Sequence, residues 1–355
     1  MAARLHIDAQ LQARNFDLTF NIDQGETLAV VGSNGAGKST LIQLIAGILM
    51  PDSGSLLIDG KELLGNSPVL VHHRKIGYLS QKPLLFPHLN VIDNVAFGAR
   101  AQGLSRSESY QRAEEELELV GCGHLKLRRV QQLSGGQAQR VAIARVLVTD
   151  PAVLLLDEPF AALDATVSPE LRGLMQQRFK ERTVVIVTHD FLDLVALADK
   201  VIEIKNGHIV ASGQVETIIR HPPTAFLAKF VGLNLVPAYF SNGELLVDGT
   251  FFAIEDAQLQ DKLNMQSSTP VHIVFPPTAI QLYPVDLATD IPVEDKRTLA
   301  TVVAIEDRGL AHRVTLSCVG QSLIADITPH QLKEFNLAVE TKVLINVDKP
   351  VIYQP

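Results

Sequence analysis

An α/β domain with a parallel sheet and an antiparallel β flank, followed by a small all-β module, is what three patterns in the 355-residue sequence predict. Short, nearly continuous apolar runs, LAVVG at 28–32, VLLLD at 153–157 and TVVIVTH at 183–189, alternate with longer amphipathic segments over the first 235 residues. Runs that are apolar on both faces suit parallel strands covered by helices. Near the N-terminus Phe16, Leu18, Phe20 and Ile22 alternate with Asp17, Thr19, Asn21 and Asp23, the two-residue period of a half-exposed antiparallel strand. From about 236 the texture changes to short β-branched runs (ELLVD, VHIVF, ATVVAIED, HRVTLSC, SLIADI, KVLINV) separated by Asn-Gly, Pro-Pro and Asp-Arg-Gly turns, the mark of a small barrel.

Length and composition agree with two to three domains, and the expected boundaries are 1–235, a β-rich connecting segment 236–290, and 291–355. With 46% apolar residues the chain is neither disordered nor fibrous. It shows no apolar run of bilayer length and no signal pattern, so a cytosolic location is expected. Cys122 and Cys318 are the only cysteines and have no CxxC or His partner pattern, which supports neither a disulfide framework nor a zinc site. The formal charge of −8 splits unevenly, −1 over residues 1–235 and −7 over 236–355, so neither part resembles a nucleic-acid surface. Glu114, Glu115, Glu116 and Glu118 are expected to form a solvated helix face.

In chain order, the first chemistry follows the LAVVG strand. Gly32-Ser33-Asn34-Gly35-Ala36-Gly37-Lys38-Ser39-Thr40 satisfies GxxxxGK[ST] and leads into the amphipathic stretch TLIQLIAGIL. Glycines let successive backbone N–H groups face phosphate oxygens, Lys38 adds a point charge, and the Ser39 hydroxyl suits a Mg²⁺ shell. Next, Leu133-Ser134-Gly135-Gly136-Gln137 opens a second helix, AQRVAIARVLV, with another N-terminus suited to an anion. One active site needs one cradle; if the second serves a nucleotide held by another copy, two chains must meet head to tail across two shared nucleotides. The VLLLD strand then ends in Asp157 and Glu158, where one carboxylate can hold Mg²⁺ and the other polarise an attacking water.

Together these residues resemble the ATP-binding-cassette (ABC) ATPases. Besides the phosphate loop and LSGGQ, Gln81 in YLSQ matches the family's Q-loop, Ala161-Ala162-Leu163-Asp164 its D-loop, and His189 its switch histidine. The resemblance covers about residues 1–232 and implies an α/β core with an antiparallel β subdomain and a helical subdomain. It implies further that Gly32 to Thr40 bind ATP, that Ser39, Gln81 and Asp157 hold Mg²⁺, and that Glu158 is the base. His189 would contact the γ-phosphate, and the partner chain's Ser134, Gly135, Gly136 and Gln137 would close the site. Many cassettes stack adenine on an aromatic side chain before the phosphate loop. Phe16 is the nearest candidate here, and its place in the alternating strand equally suits a core residue.

Among cassettes, the 72–95 segment (His72 to Gln81, Leu85-Phe86-Pro87-His88-Leu89, Asn94-Val95) resembles that of bacterial importer ATPases, where the Q-loop meets the permease. The residues from about 293 resemble the OB-like MOP/TOBE domain that ends the ATPases of molybdate importers, down to a strand, IT-P, short helix, strand order. Asp348 stands where an oxyanion-binding lysine is expected, so the tail is either a dimerisation or docking module or an oxyanion site. The resemblance therefore implies an ATP-hydrolysing subunit that works as a homodimer under a permease dimer, served by a substrate-binding protein. It would lie peripherally on the cytoplasmic face of the membrane and take molybdate as cargo. Importers of sulfate, ferric iron, polyamine or sugar, and a soluble non-transport ABC ATPase, are the alternatives.

Overall fold

The computed structural model of the chain describes residues 4–64, 68–163, 168–180, 182–241, 244–255, 269–285 and 297–354. Two compact units divide it, Met1–Val215 and Glu216–Pro355. No helix among the described residues is long and apolar enough to cross a membrane.

The first unit runs β1 (Leu5–Leu11), β2 (Phe16–Ile22), β3 (Thr27–Val31), α1 (Lys38–Ala46), β4 (Ser53–Ile58), β5 (Lys61–Glu62) and β6 (Ile76–Leu79). Helices α2 (Val91–Ala101), α3 (Arg106–Leu119) and α4 (Gly135–Leu147) follow. The unit continues through β7 (Val153–Asp157), α5 (Ser168–Phe179), β8 (Thr183–Val187), α6 (Phe191–Leu197), β9 (Lys200–Lys205) and β10 (His208–Gln214). Its main sheet has the order β10-β9-β3-β8-β7-β6. The strands from β9 to β6 are parallel, and β10 is antiparallel to β9. Strands β3 and β8 are buried along their whole length, the reason their sequences carry no polar alternation. With the strands parallel, the ends of β3, β6, β7 and β8 open on one edge of the sheet, and open α/β sheets bind ligands at that edge.

An antiparallel sheet, β2-β1-β4-β5, flanks the first. Phe16, Leu18 and Ile22 turn inward from β2 and share one core with Leu41, Ile42 and Ile45 of α1 and Val30 of β3. Helices α2, α3 and α4 pack on one another as the helical part of the unit. On α3, Glu114, Glu115 and Glu118 are exposed as expected, and the structure corrects the fourth. Glu116 is mostly buried and pairs with Arg178 of α5, because it lies one residue from Leu117 on the inward side of the helix.

The second unit holds α7 (Val215–Arg220) from its second residue onward, then α8 (Ala225–Phe230), β11 (Asn234–Ser241), β12 (Glu244–Val247), β13 (Thr250–Phe251) and β14 (Ile254–Glu255). It continues as β15 (Thr269–Phe275), β16 (Ile280–Pro284), β17 (Thr298–Asp307), β18 (His312–Cys318), β19 (Gln321–Ile327), α9 (Pro329–Glu334), β20 (Lys342–Asp348) and β21 (Val351–Tyr353). The sheet orders are β13-β12-β11-β15-β21 and β14-β20-β17-β18-β19, with β16 also on β20. Inward residues of both sheets, among them Val236, Phe275, Val314 and Ile345, form one core, so strands from 236–285 and from 298–353 fold together as an OB-like β unit. The boundary read at 290 falls in 286–296, outside the described residues. Both cysteines are free and buried, and burial pushes the Cys318 thiol up to about 11.

Candidate active site

At the C-terminal end of β3 the chain turns through Gly32–Gly37 into α1, whose first residue is Lys38. Gly37 caps that helix at φ 114°, and a Cβ there would press within 3.2 Å of the Phe16 ring, so the turn requires glycine. Ser33, Asn34, Gly35 and Ser39 are exposed, whereas Ala36 and Thr40 are buried. The Lys38 ammonium donates to the Gly32 and Ser33 carbonyls at 2.7 and 2.9 Å, folded over its own loop. Burial holds its pKa below the ordinary 10.5, and the charges of Glu158 and Asp157 oppose that shift.

Strand β7 brings Asp157 to the same edge, and Glu158 follows at φ 49°, a left-handed conformation that costs a side-chain-bearing residue roughly 1–3 kcal/mol. The Glu158 N–H donates to the Val187 carbonyl of β8 at 2.9 Å, which holds the turn. Gln81, just beyond β6, donates from Nε2 to Glu158 Oε2 at 2.8 Å. His189, just beyond β8, places Nδ1 3.4 Å from Glu158 Oε1. Glu158 is thus gripped from both sides by residues 77 and 31 positions away, with its side chain 21% exposed and that of His189 67% exposed. Burial, then the neighbouring Glu158 charge, pushes the Asp157 pKa above the ordinary 3.8, against the pull of Lys38. A buried carboxylate under that stress favours a cation beside it.

A network that the sequence did not disclose supports His189. Arg172 of α5 donates from Nη2 to Asp190 and from Nε to Asp193, both at 2.6 Å. Thr188 donates to the other Asp193 oxygen at 2.6 Å, and Asp190 caps α6 through the Leu192 N–H. These groups and Glu158 line a cleft of about 350 Å³. The Asp193 side chain is 4% exposed, and burial raises its pKa, although Thr188 and Arg172 pull it down. The Asp190 cap directly after His189 was the one local signal; Arg172 has none.

The LSGGQ segment starts α4. The Ser134 hydroxyl accepts from the Gln137 N–H at 3.3 Å, and Gln137 Oε1 accepts from the Ser134 N–H at 3.0 Å, a reciprocal cap. Nothing stands within 4 Å of a Cβ built on Gly135, and among the described residues no hydrogen bond joins 134–137 to the 32–40 loop. Of the D-loop, Ala161, Ala162 and Leu163 are described, and Asp164 lies outside the described residues.

Phe16 needs correction. It is 2% exposed and packed in the core, and a stacking platform must present a ring face. At the Q-loop, Arg145 donates to the Pro83 and Leu84 carbonyls and lies 5.4 Å from the Phe86 ring. Asn94, fully buried, accepts from the Phe86 N–H at 2.7 Å and donates to its carbonyl at 3.1 Å. The segment after Gln81 is thereby bound to the helical part of the unit.

A glycine-rich cradle at the end of one parallel strand, with carboxylates at the end of another, defines a P-loop nucleoside-triphosphate hydrolase. Residues 16–161 match the family described as ABC transporter. The molybdenum import ATP-binding protein ModC of Mycobacterium tuberculosis (strain H37Rv) is 37% identical over 86% of this chain and 84% of its own length. The molybdate/tungstate import ATP-binding protein WtpC of Pyrococcus horikoshii is 34% identical over 90% of each. The maltose/maltodextrin import ATP-binding protein MalK of Yersinia pestis reaches 40% over 64% of this chain and 62% of that protein. A solved dimeric ATP-binding cassette in a post-hydrolysis state bound to ADP and Pi superposes with a TM-score of 0.56 at 27% identity, over 59% of this chain and 98% of that one. The chain belongs to the ABC transporter family of ATP-binding proteins, and it is an ATPase.

Proposed function

We propose that the chain is the ATP-hydrolysing subunit of a molybdate importer. In this reading it acts as a homodimer on the cytoplasmic face of the membrane, beneath a separate permease served by a substrate-binding protein. For hydrolysis, the observation that carries the reading is the carboxylate of Glu158 held between Gln81 and His189 at the sheet edge that also presents Lys38. For cargo, support comes from similarity that spans both units. The Mycobacterium tuberculosis and Pyrococcus horikoshii relatives, both of molybdenum or molybdate/tungstate import, match 86% and 90% of the chain, whereas the Thermococcus kodakarensis molybdate/tungstate relative and the maltose relative match 65% and 64%.

The donor set fits Mg²⁺. Ser39, Gln81 and Asp157 offer hard oxygens, and no group of three or more His, Cys, Asp or Glu suited to a metal occurs among the described residues. Mg²⁺ commonly takes one or two carboxylates and fills the rest of its shell with water and phosphate oxygens. When bound, the ion neutralises charge on the phosphates. The Lys38 ammonium exchanges its two loop carbonyls for phosphate oxygens, Glu158 takes the proton of the attacking water, and Gln81 orients that carboxylate. His189 faces the γ-phosphate. Because 134–137 stands free of the chain's own loop, the Ser134 cap and the Gly135 and Gly136 backbone serve the nucleotide of a partner copy. Closure and reopening of the pair then form the two-state element that drives the permease. The stiff link from Gln81 through Phe86, Asn94 and Arg145 carries the change outward.

The test is uptake in a host lacking this chain. Loss of high-affinity molybdate accumulation, restored by the wild type and not by Glu158→Gln, is expected. Normal molybdate uptake together with loss of another solute would overturn the cargo, and activity stimulated by a soluble partner without a permease would overturn transport.

A further inference from the structure

We propose that Gln139 is a positioning residue for hydrolysis, tying the helix that begins at LSGGQ to the turn that aims the Glu158 carboxylate. The inference rests on Glu158 being the base of an ATP site. Gln139 lies on α4, just over one turn after Ser134, and is 1% exposed. Its Nε2 donates to the Pro159 carbonyl at 3.1 Å, across 20 positions of sequence. Gly136 stands one turn earlier on the same side of the helix. A Cβ built there would come within 3.4 Å of the Ala162 carbonyl oxygen and 3.5 Å of the Leu163 side chain. The first turn of α4 therefore lies along residues 159–163, the segment that leaves Glu158.

What this contact controls is the backbone on which Glu158 is mounted. Glu158 adopts φ 49°, and such a conformation persists only where its surroundings over-determine it. On the N-terminal side its own N–H is held by the Val187 carbonyl at 2.9 Å. On the other side Pro159 has no N–H to give, and Gln139 fixes its carbonyl from α4. Gln81 and His189 hold only the carboxylate head, so without the Gln139 bond the turn can rotate beneath a side chain gripped at its tip. The other end of the amide argues against a purely structural purpose. Gln139 Oε1 is buried without a hydrogen-bond partner among the described residues, and an unsatisfied buried acceptor costs about as much as one amide hydrogen bond contributes. A methionine of similar length would fill the space at similar stability, and it would leave the Pro159 carbonyl unheld.

Single-turnover phosphate release by the full chain with Mg-ATP, in wild-type and Glu158→Gln backgrounds, tests this. Gln139→Met is expected to lower the rate about tenfold in the wild type, inside the roughly 100-fold that a displacement of about 1 Å can cost. The ATP concentration for half-saturation should stay within about twofold. In Glu158→Gln, which has no base to aim, the same change should cost less than about twofold. Gln139→Leu should behave like Gln139→Met, and both should unfold thermally close to the wild type. A merely structural role would reduce the rate by the same factor in both backgrounds, and that result would overturn the assignment. An unchanged rate in Gln139→Met, or weaker ATP binding in its place, would overturn it as well. So would failure of both variants to fold, which would make the amide a requirement of the fold. Wild-type turnover in Glu158→Gln would instead overturn the underlying reading of Glu158.

Discussion

Replacing Glu158 by Gln removes a base while keeping its shape. The amide fills the same volume between Gln81 and His189, and it retains an oxygen that can accept the Gln81 N–H now bound at 2.8 Å, so the fold is expected to survive. A positioned general base contributes about 10²- to 10⁴-fold, and at 1.36 kcal/mol per decade its loss raises the barrier by roughly 3–5 kcal/mol. The electrostatic consequence has the opposite sign for binding. The Glu158 charge is the second cause of the raised Asp157 pKa; without it, Asp157 ionises more readily beside a cation and one negative charge facing the triphosphate disappears. Turnover should therefore fall by at least about 10² while ATP remains bound, and the ATP-loaded pair should accumulate. Phosphate release measures the first effect and size-exclusion chromatography with Mg-ATP the second. Turnover within about tenfold of wild type, or a variant that stays monomeric with ATP, would refute Glu158 as the base.

Arg172→Met should destabilise the first unit by about 3–5 kcal/mol, the usual result of leaving a buried partner charge alone, because Arg172 is 11% and Asp193 4% exposed. Adding Asp193→Asn should recover part of that loss, and urea unfolding of the two variants distinguishes an unpaired charge from lost packing. In the β unit, Arg313 binds both oxygens of Asp326 at 2.7 Å across β18 and β19. The Arg313 hydrogen bonds hold the Asp326 pKa below the ordinary 3.8 against a smaller effect of burial. The folded value lies under the unfolded one, so the stabilisation is complete above pH 3.8 and disappears as pH falls through the depressed value. For a pair this exposed it amounts to about 0.5–1 kcal/mol. Asp326→Asn should thus differ from wild type at neutral pH and converge with it in acid; a pH-independent difference would contradict the assignment.

Much of the fold was legible because its signals are local. A run such as LAVVG is apolar on both faces for the same reason that β3 is buried on both faces, and the GxxxxGK[ST] spacing reports a backbone turn that only a few residues shape. The short strand-like runs after 236 correspond to β12, β15 and β17–β20, and the IT-P pattern became the Thr328 cap with Pro329 opening α9. The parts of the site that failed to show themselves are those made by long-range contact. Phe16 alternates correctly for a half-exposed strand, yet it is 2% exposed in a core it shares with α1 and β3, and alternation says which side a residue faces without saying what covers that side. Glu116 belongs by composition to an acidic face, and only the approach of α5 turns it into a partner for Arg178.

Residue order alone was enough to establish the α/β class, the β-rich tail and the chemical types gathered for phosphate. Hydrogen-bonded turns, caps and strand alternation depend on neighbours within a few positions. Contacts between distant segments fix the rest: Gln81 and His189 closing on Glu158, Arg172 bracing the loop beneath His189, and Arg14 reaching Thr40. Those partners lie between 18 and 77 positions apart; adjacent parallel strands bring Gln81 and His189 to Glu158, whereas α5 carries Arg172 and the turn of the antiparallel flank carries Arg14.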